Sequence, residues 1–337
     1  MIGISGMIIV RTPLRLSFVG GGSDIPAFYK RSEGRVLSCA MDKFVYVIVK
    51  SRFDDMIYVN YSQKECVERV EDIRHDLVRE AMKITGVQSG VEITTLADVP
   101  SEGSGLGSSS SITVALLHAL FTYRNTLVTA EDLARLACDI EITRAGKPIG
   151  RQDQYAAAYG GLNEFVFHEN DSVTRIPVNL SDSVFRRFSS SLLLYFTGIT
   201  RKADVILSEQ SKNADDALKF ESQRRMAELV APFRAALESG GIEECGRLLD
   251  ENWQLKRQMA LGITNEKIEA MYATARNSGA LGGKVAGAGG GGFLMLLVPR
   301  ERQAAVFSAM SDFRELPFML ERSGSKVIFD DRTYSFK

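Results

Sequence analysis

The stretch 100–120, PSEGSGLGSSSSITVALLHAL, runs a glycine- and serine-rich loop straight into an apolar helix. Glycine lets a loop backbone take positive φ and approach a ligand closely, and serine oxygens suit a helix start. Free N–H groups and the positive end of the helix dipole then meet in one place. That makes an anion site, and a loop of this size suits a polyphosphate. The same composition also describes a helix start with nothing bound to it. Upstream, Gly20-Gly21-Gly22-Ser23-Asp24 forms a second tight loop. Its carboxylate either caps the helix expected at 25–30 or accepts hydrogen bonds from neutral hydroxyls, for which sugar recognition is a natural use. Arg15 is a cation inside an apolar strand, so it is either paired or aimed at something anionic.

Two further acids stand at informative places. Glu141 closes the apolar stripe of Leu133, Leu136, Ala137 and Ile140, where a carboxylate opposes the helix dipole unless it meets a cation. Asp153 follows a break at Gly146, Pro148 and Gly150 and opens a short alanine-rich helix. It is either a plain N-terminal cap or the carboxylate that meets a substrate hydroxyl. After an apolar strand at 192–196, the run Thr197-Gly198-Ile199-Thr200-Arg201-Lys202 sets two cations at a strand-to-helix turn. They form a solvated pair or a seat for an anionic group on a substrate.

The last glycine run, Lys284 to Gly292, spells GxGxxG through Gly287, Gly289 and Gly292. A strand at 293–298 follows it rather than a helix, which excludes a dinucleotide-binding turn. The loop instead lets backbone pass close to something in the middle of the protein. No Walker GxxxxGK[ST] pattern and no protein-kinase HRD or DFG set occurs. His75, His118 and His168 are scattered without a partner constellation, so no protein-built zinc site is expected.

The elements that must carry these residues alternate in type. Strands are expected at 8–11 and 14–19 with Pro13 between them, then at 36–41, 44–50 and 56–61 as an antiparallel meander. A helix at 75–85 and a strand at 91–96 lead to the organising loop, and a helix at 131–143 follows it. Strands at 161–168, 173–178 and 192–196 precede a helical region, 203–277, broken near Gly240 and Gly262. A helix at 301–310 and a strand at 326–329 end the pattern.

With 337 residues, 45% of them hydrophobic and 25% charged, the chain can bury a full core and has about two domains' length. A net charge of −1 excludes a global basic field for nucleic acid, so phosphate binding has to come from local donors. Cys39, Cys66, Cys138 and Cys245 show no paired spacing and suit a reduced, cytoplasmic protein. No apolar run reaches membrane-span length, and no signal peptide is read. Residues 1–6, ahead of a second methionine at Met7, read as an upstream start or an added leader. The sequence sets no oligomeric state and leaves a homodimer open.

PLRLSFVGGGSD, PSEGSGLGSSSS and KVAGAGGGGF, in this order, resemble the three motifs of the GHMP small-molecule kinases, named for galactokinase, homoserine, mevalonate and phosphomevalonate kinases. The resemblance spans essentially the whole chain. Within that superfamily the first motif, the DKFVYVIV strand and NWQLKRQ look most like the D-glycero-D-manno-heptose 7-phosphate kinases. It implies ATP and Mg²⁺ as cofactors and a sugar or sugar phosphate as substrate. It places the ATP phosphates on Pro100, Gly103, Gly105, Leu106, Gly107, Ser108, Ser109 and Ser110, and Mg²⁺ on Ser109 and Glu141. Asp153 matches the family's catalytic acid, and Arg15 falls where relatives carry a basic residue close to it. The acceptor pocket falls to Gly21, Gly22, Ser23, Asp24, Asp153, Thr197 and Gly198, with Gly287, Ala288, Gly289 and Gly290 as the floor, and a phosphate on the substrate would need a cation, Arg201 or Lys202.

Three departures from the family pattern stand out. Gly21-Gly22 replace the Glu-His of galactokinase-type motifs, which argues against galactose; Ser110 stands where many relatives have alanine; Glu141 lies one residue further from Asp153 than in mevalonate kinases. The implied fold is α+β, with a domain like domain 2 of ribosomal protein S5 over 7–170 and a ferredoxin-like domain over 171–337. The implied reaction is in-line transfer of the ATP γ-phosphoryl group to an anomeric (C1) hydroxyl. Other acceptors of the superfamily (fucose, mannose, unphosphorylated heptose) and a non-catalytic ATP- and sugar-binding regulator are the alternatives.

Overall fold

The computed structural model describes residues 2–100, 103–200, 206–209 and 216–336. Arg201 and Lys202 lie outside the described residues. The architecture is α+β, with one large sheet, one small sheet, and helices packed on both.

The expected break at Pro13 does not divide its strand. Met7–Val19 runs through, with a register irregularity at Pro13/Leu14 where the proline cannot donate to the ladder. The expected strands at 36–41 and 44–50 likewise merge into Gly34–Ser51, which pairs with Met7–Val19 along nearly its whole length. Its other edge has three partners: residues 45–51 pair with Val91–Ala97, residues 40–41 with Leu320–Glu321, and residues 34–39 with Leu162–Phe167. The meander expected through 56–61 is corrected, because Ile57–Asn60 lies parallel to Val91–Ala97 and antiparallel to Lys64–Val67. The large sheet therefore carries a parallel pair that local alternation did not signal.

Leu320–Glu321 and Lys326–Asp330 return to this sheet and pair with Gly34–Ser51 and Met7–Val19 respectively. Val173–Pro177 also joins it, beside Leu162–Phe167. All three strands fall in the stretch that the expected division near residue 170 assigns to the second unit. The small sheet is antiparallel, in the order Gly282–Val285, Phe293–Leu297, Leu192–Phe196.

The helix Ser108–Tyr123 is buried nearly all round because its sequence is apolar on every face, so it serves as a central strut. Ser111 ties it to the first strand by donating to the Pro13 carbonyl at 2.8 Å. Phe18 on that strand stacks on Phe233 and meets Phe188 edge-on, with centroids 5.9 and 5.2 Å apart. These rings join the large sheet to the helices of the C-terminal half. The first glycine loop is held from the same side, since Asn252 accepts from the Gly20 N–H at 3.1 Å.

The second and third glycine loops touch backbone to backbone. A Cβ on Gly105 would lie 2.4 Å from the Ala286 oxygen, and one on Gly287 would lie 2.7 Å from Gly105 Cα. Both residues have positive φ, +74° and +64°. Gly287→Ala should therefore cost markedly more stability than Gly86→Ala. Gly86 has φ +71° at a helix end but nothing within 4 Å of a new Cβ, so its replacement loses about 1 kcal/mol from backbone strain alone. Urea unfolding midpoints check this; equal losses at the two sites would mean that the loop contact is not tight.

Candidate active site

The loop 103–107 and the start of the helix Ser108–Tyr123 wall one side of a cleft of about 410 Å³. The first glycine loop and the third glycine loop form its other walls. Gly107 occupies the left-handed N-cap position, and no side chain caps the helix. The N–H groups of its first turn are thus open to a ligand, as an anion site requires. The serine oxygens are not the cap expected of them: Ser111 is spent on Pro13, Ser104 lies 3.3 Å from Ser108, and Ser109 donates to Glu141.

Arg15 and Asp153 meet at the base of the cleft. Nε and Nη2 of Arg15 donate to the two carboxylate oxygens at 2.7 and 2.6 Å, and Nη1 donates to the Gly105 carbonyl at 2.7 Å. The Arg15 backbone N–H also reaches the Leu106 carbonyl at 3.0 Å. Arg15 is thus a paired cation that fixes both the carboxylate and the loop 103–107, with a two-pronged grip on the carboxylate that lysine could not supply. A Cβ on Gly107 would lie 3.1 Å from Arg15 Cγ and 3.4 Å from Asp153 Oδ2, so the loop rests on the pair.

Asp24 faces the same space. It is buried and accepts from the N–H of Gly22 (2.9 Å), the N–H of Gln152 (3.1 Å) and Gln152 Nε2 (3.0 Å). Burial, and then the neighbouring Asp153 carboxylate, raise its pKa above the usual carboxylate range. Gln152 Oε1 and Ser17 Oγ are buried without a hydrogen-bond partner, and both residues line the cleft. At a cleft wall such atoms are able to hydrogen-bond a ligand or water.

Glu141 sits in a π-helical turn, Asp139–Arg144, where the expected helix 131–143 widens after Cys138. The carboxylate is fully buried, with Gln154 Nε2 donating to Oε2 at 2.7 Å and Ser109 Oγ donating to Oε1 at 2.7 Å. The Lys147 ammonium shares this place, 2.9 Å from Ser109 Oγ and 3.5 Å from Glu141 Oε1. A cation already lies against these two hard oxygens, so the donor set suits Mg²⁺. No group of three or more His, Cys, Asp or Glu gathers among the described residues. Such an ion would complete its shell with phosphate oxygens and water, as Mg²⁺ commonly does.

The structure brings Arg15, Gly21, Gly22, Asp24, Gly103, Gly105, Gly107, Ser108, Ser109, Ser110, Glu141, Asp153, Gly287, Ala288 and Gly289 to this cleft. Six expected residues do not line it. Ser23 is fully buried and staples its own loop, donating to the Gly20 and Arg35 carbonyls, each at 2.8 Å. Leu106 belongs to the hydrophobic core. Pro100 is exposed at the rim of the chain leading to the loop. Thr197 is fully buried and braces the Gly292 carbonyl at 3.0 Å, and Gly198 is exposed. Gly290 uses its N–H on the Ile263 carbonyl.

Three lysines were not singled out from sequence. Lys147 joins the Glu141 site, Lys256 lines the cleft, and Lys284 lies buried behind it with Nζ on the Ser17 carbonyl at 2.9 Å. Lys256 had a readable signal: it is three residues after the buried Trp253 and so shares its inward helix face.

The models of the GHMP kinases N terminal domain and the GHMP kinases C terminal domain match residues 67–161 and 233–315. The chain is 29% identical over 315 residues to a D-glycero-alpha-D-manno-heptose 7-phosphate kinase of Campylobacter jejuni, covering 90% of this chain and 93% of that one. A bifunctional fucokinase/GDP-fucose pyrophosphorylase of Arabidopsis thaliana is 28% identical, over 88% of this chain and 30% of that protein. Among solved structures, a D-glycero-D-manno-heptose 1-phosphate kinase of a Bacteroides species matches with a TM-score of 0.79 at 26% identity, covering 96% of this chain and 99% of that one.

Because the Lys147 ammonium lies against the Ser109 and Glu141 oxygens, Lys147→Met should tighten Mn²⁺ binding to the nucleotide-free protein if those oxygens seat the ion. The gain should be about tenfold or more, since a charge-assisted hydrogen bond is worth ~1.5–3 kcal/mol. Paramagnetic titration of Mn²⁺ reads this directly; unchanged or weaker binding would show that the ammonium does not compete for the seat.

Proposed function

We propose that this chain, which belongs to the GHMP kinases and is a phosphotransferase with an alcohol acceptor, uses ATP to phosphorylate the anomeric (C1) hydroxyl of D-glycero-D-manno-heptose 7-phosphate. The product is the 1,7-bisphosphate, a precursor for nucleotide-activated heptose. The observation that carries the reading is the clamped Asp153 carboxylate at the base of a cleft, with an uncapped helix N-terminus on one side and hydroxyl-binding groups on the other. The likeness along nearly the full length of the heptose 7-phosphate kinase supports the choice of acceptor.

On this reading each residue of the cleft has a role. The N–H groups at Ser108 to Ser110 and the loop glycines cradle the nucleotide phosphates, where the helix dipole favours negative charge. Bound Mg²⁺ would be held by Ser109 and Glu141 and would neutralise charge on those phosphates. Asp24, with Gln152 and Ser17, positions the acceptor's hydroxyls. Asp153 orients the attacking hydroxyl and accepts its proton, while Arg15 holds the carboxylate in place. Phosphoryl transfer asks mainly for positioning and charge stabilisation, and all of these residues serve those ends.

The test is ADP release with Mg-ATP against heptose 7-phosphate, unphosphorylated heptose, mannose, L-fucose, galactose and mevalonate. The expected result is preference for heptose 7-phosphate; preference for a free sugar such as L-fucose would move the chain to another branch of sugar 1-kinases. Nucleotide binding with no turnover on any of them would favour a regulator. In the active pairing, Asp153→Asn should lower kcat by roughly 10²–10⁴-fold with nucleotide affinity little changed. Turnover equal to the parent's would remove Asp153 from the chemistry.

A further inference from the structure

Lys256 ends the helix Ile242–Lys256 and is only 4% exposed, yet it lines the cleft. Its ammonium donates to the Gly287 carbonyl, and no other partner is recorded for it among the described residues. An ammonium has three N–H donors. Two of them are therefore unspent on a buried cation facing the cleft, an arrangement that is costly without an acceptor. The Arg15 guanidinium, by contrast, spends three N–H groups on Asp153 and the Gly105 carbonyl.

Its location narrows the acceptor. Gly287, whose carbonyl accepts one Lys256 hydrogen bond, is packed on Gly105 of the loop 103–107. The charged groups that act on Lys256 are Arg15, Asp24 and Asp153, and Lys284 lies behind it on the strand Gly282–Val285. Lys256 thus sits where the phosphate loop gives way to the acceptor's carboxylates. On the phosphotransfer reading above, that is the crossing point of the group being moved.

We propose that Lys256 is a catalytic residue that donates its two free N–H groups to the oxygens of the phosphoryl group in transit. As the bond from phosphorus to the acceptor oxygen forms, the bond to the bridging oxygen of ADP breaks, and the hydroxyl proton passes to Asp153. Lys256 keeps its own protons and stabilises charge on the transferring oxygens, a donor aimed at where charge develops. Burial, followed by the Arg15 guanidinium, lowers the Lys256 pKa to about 8, with Asp24 and Asp153 opposing. The ammonium is present below that pH and lost as pH rises through it, so kcat/KM of the free enzyme should fall on the alkaline side of about 8.

The experiment measures kcat and KM across pH for the full chain, Lys256→Met and Lys256→Arg, with ADP binding by calorimetry on each. Lys256→Met should lose about 10²–10³-fold in kcat, the usual size of one preorganised donor, while ADP affinity is unchanged and the alkaline limb disappears. Lys256→Arg should recover part of the rate without the limb, because arginine stays charged throughout. Retained kcat in Lys256→Met, a loss confined to acceptor KM, or a loss that follows ADP binding would overturn the proposal. A parent protein that binds ADP but turns over no acceptor would instead overturn the phosphotransfer reading on which this rests.

Discussion

The Arg15–Asp153 pair is the constraint on which the site depends. With side chains 5% and 23% exposed, the two charges have left most of their water behind, and only a well-formed geometry offsets that desolvation. The pair achieves it with two short hydrogen bonds and a third from Arg15 to the Gly105 carbonyl. Three separate pieces of chain are thereby fixed to one guanidinium: the first strand, the phosphate loop and the helix Gln152–Tyr159. Removing one partner of such a pair commonly costs ~3–5 kcal/mol, because the other charge is stranded.

The remaining charges are arranged around that centre. Asp24 stands beside Asp153, and burial raises its pKa, while Lys256 and Lys284 come from the C-terminal half and burial lowers theirs, so all three are pushed toward their neutral forms. Lys147 stands apart, against Ser109 and Glu141. The cleft lining therefore carries both signs, with Asp24, Glu141 and Asp153 set against Arg15, Lys147 and Lys256. The glycine loops let backbone approach from both halves so that these side chains converge.

Much of this was legible in the sequence. Arg15 and Glu141 stand out in the sequence as charges in an unfavourable local setting, Asp24 and Asp153 as acids beside glycine breaks at helix starts, and all four meet in the cleft. The strand after the last glycine run correctly excluded a dinucleotide turn. Long-range geometry was less accessible. Ile57–Asn60 pairs in parallel because it lies beside Val91–Ala97, and the closing strand Lys326–Asp330 returns to the first sheet; neither is written in local alternation. Ser23 and Thr197 look like ligand contacts in sequence, but each spends its hydroxyl on neighbouring backbone. Lys256 was missed for the opposite reason: a lysine at a helix end usually reads as solvated, and only its spacing from Trp253 signals that it faces inward.

The central claim is that Arg15 and Asp153 act as one unit in the chemistry. A double-mutant cycle on kcat/KM, with Arg15→Met, Asp153→Asn and the two combined, tests it most directly. If Arg15 serves by holding Asp153, the combined variant should be about as slow as the slower single variant, with a coupling energy near the upper part of the ~0.5–3 kcal/mol seen for contacting residues. Losses that simply add would contradict the account and assign the two residues independent tasks.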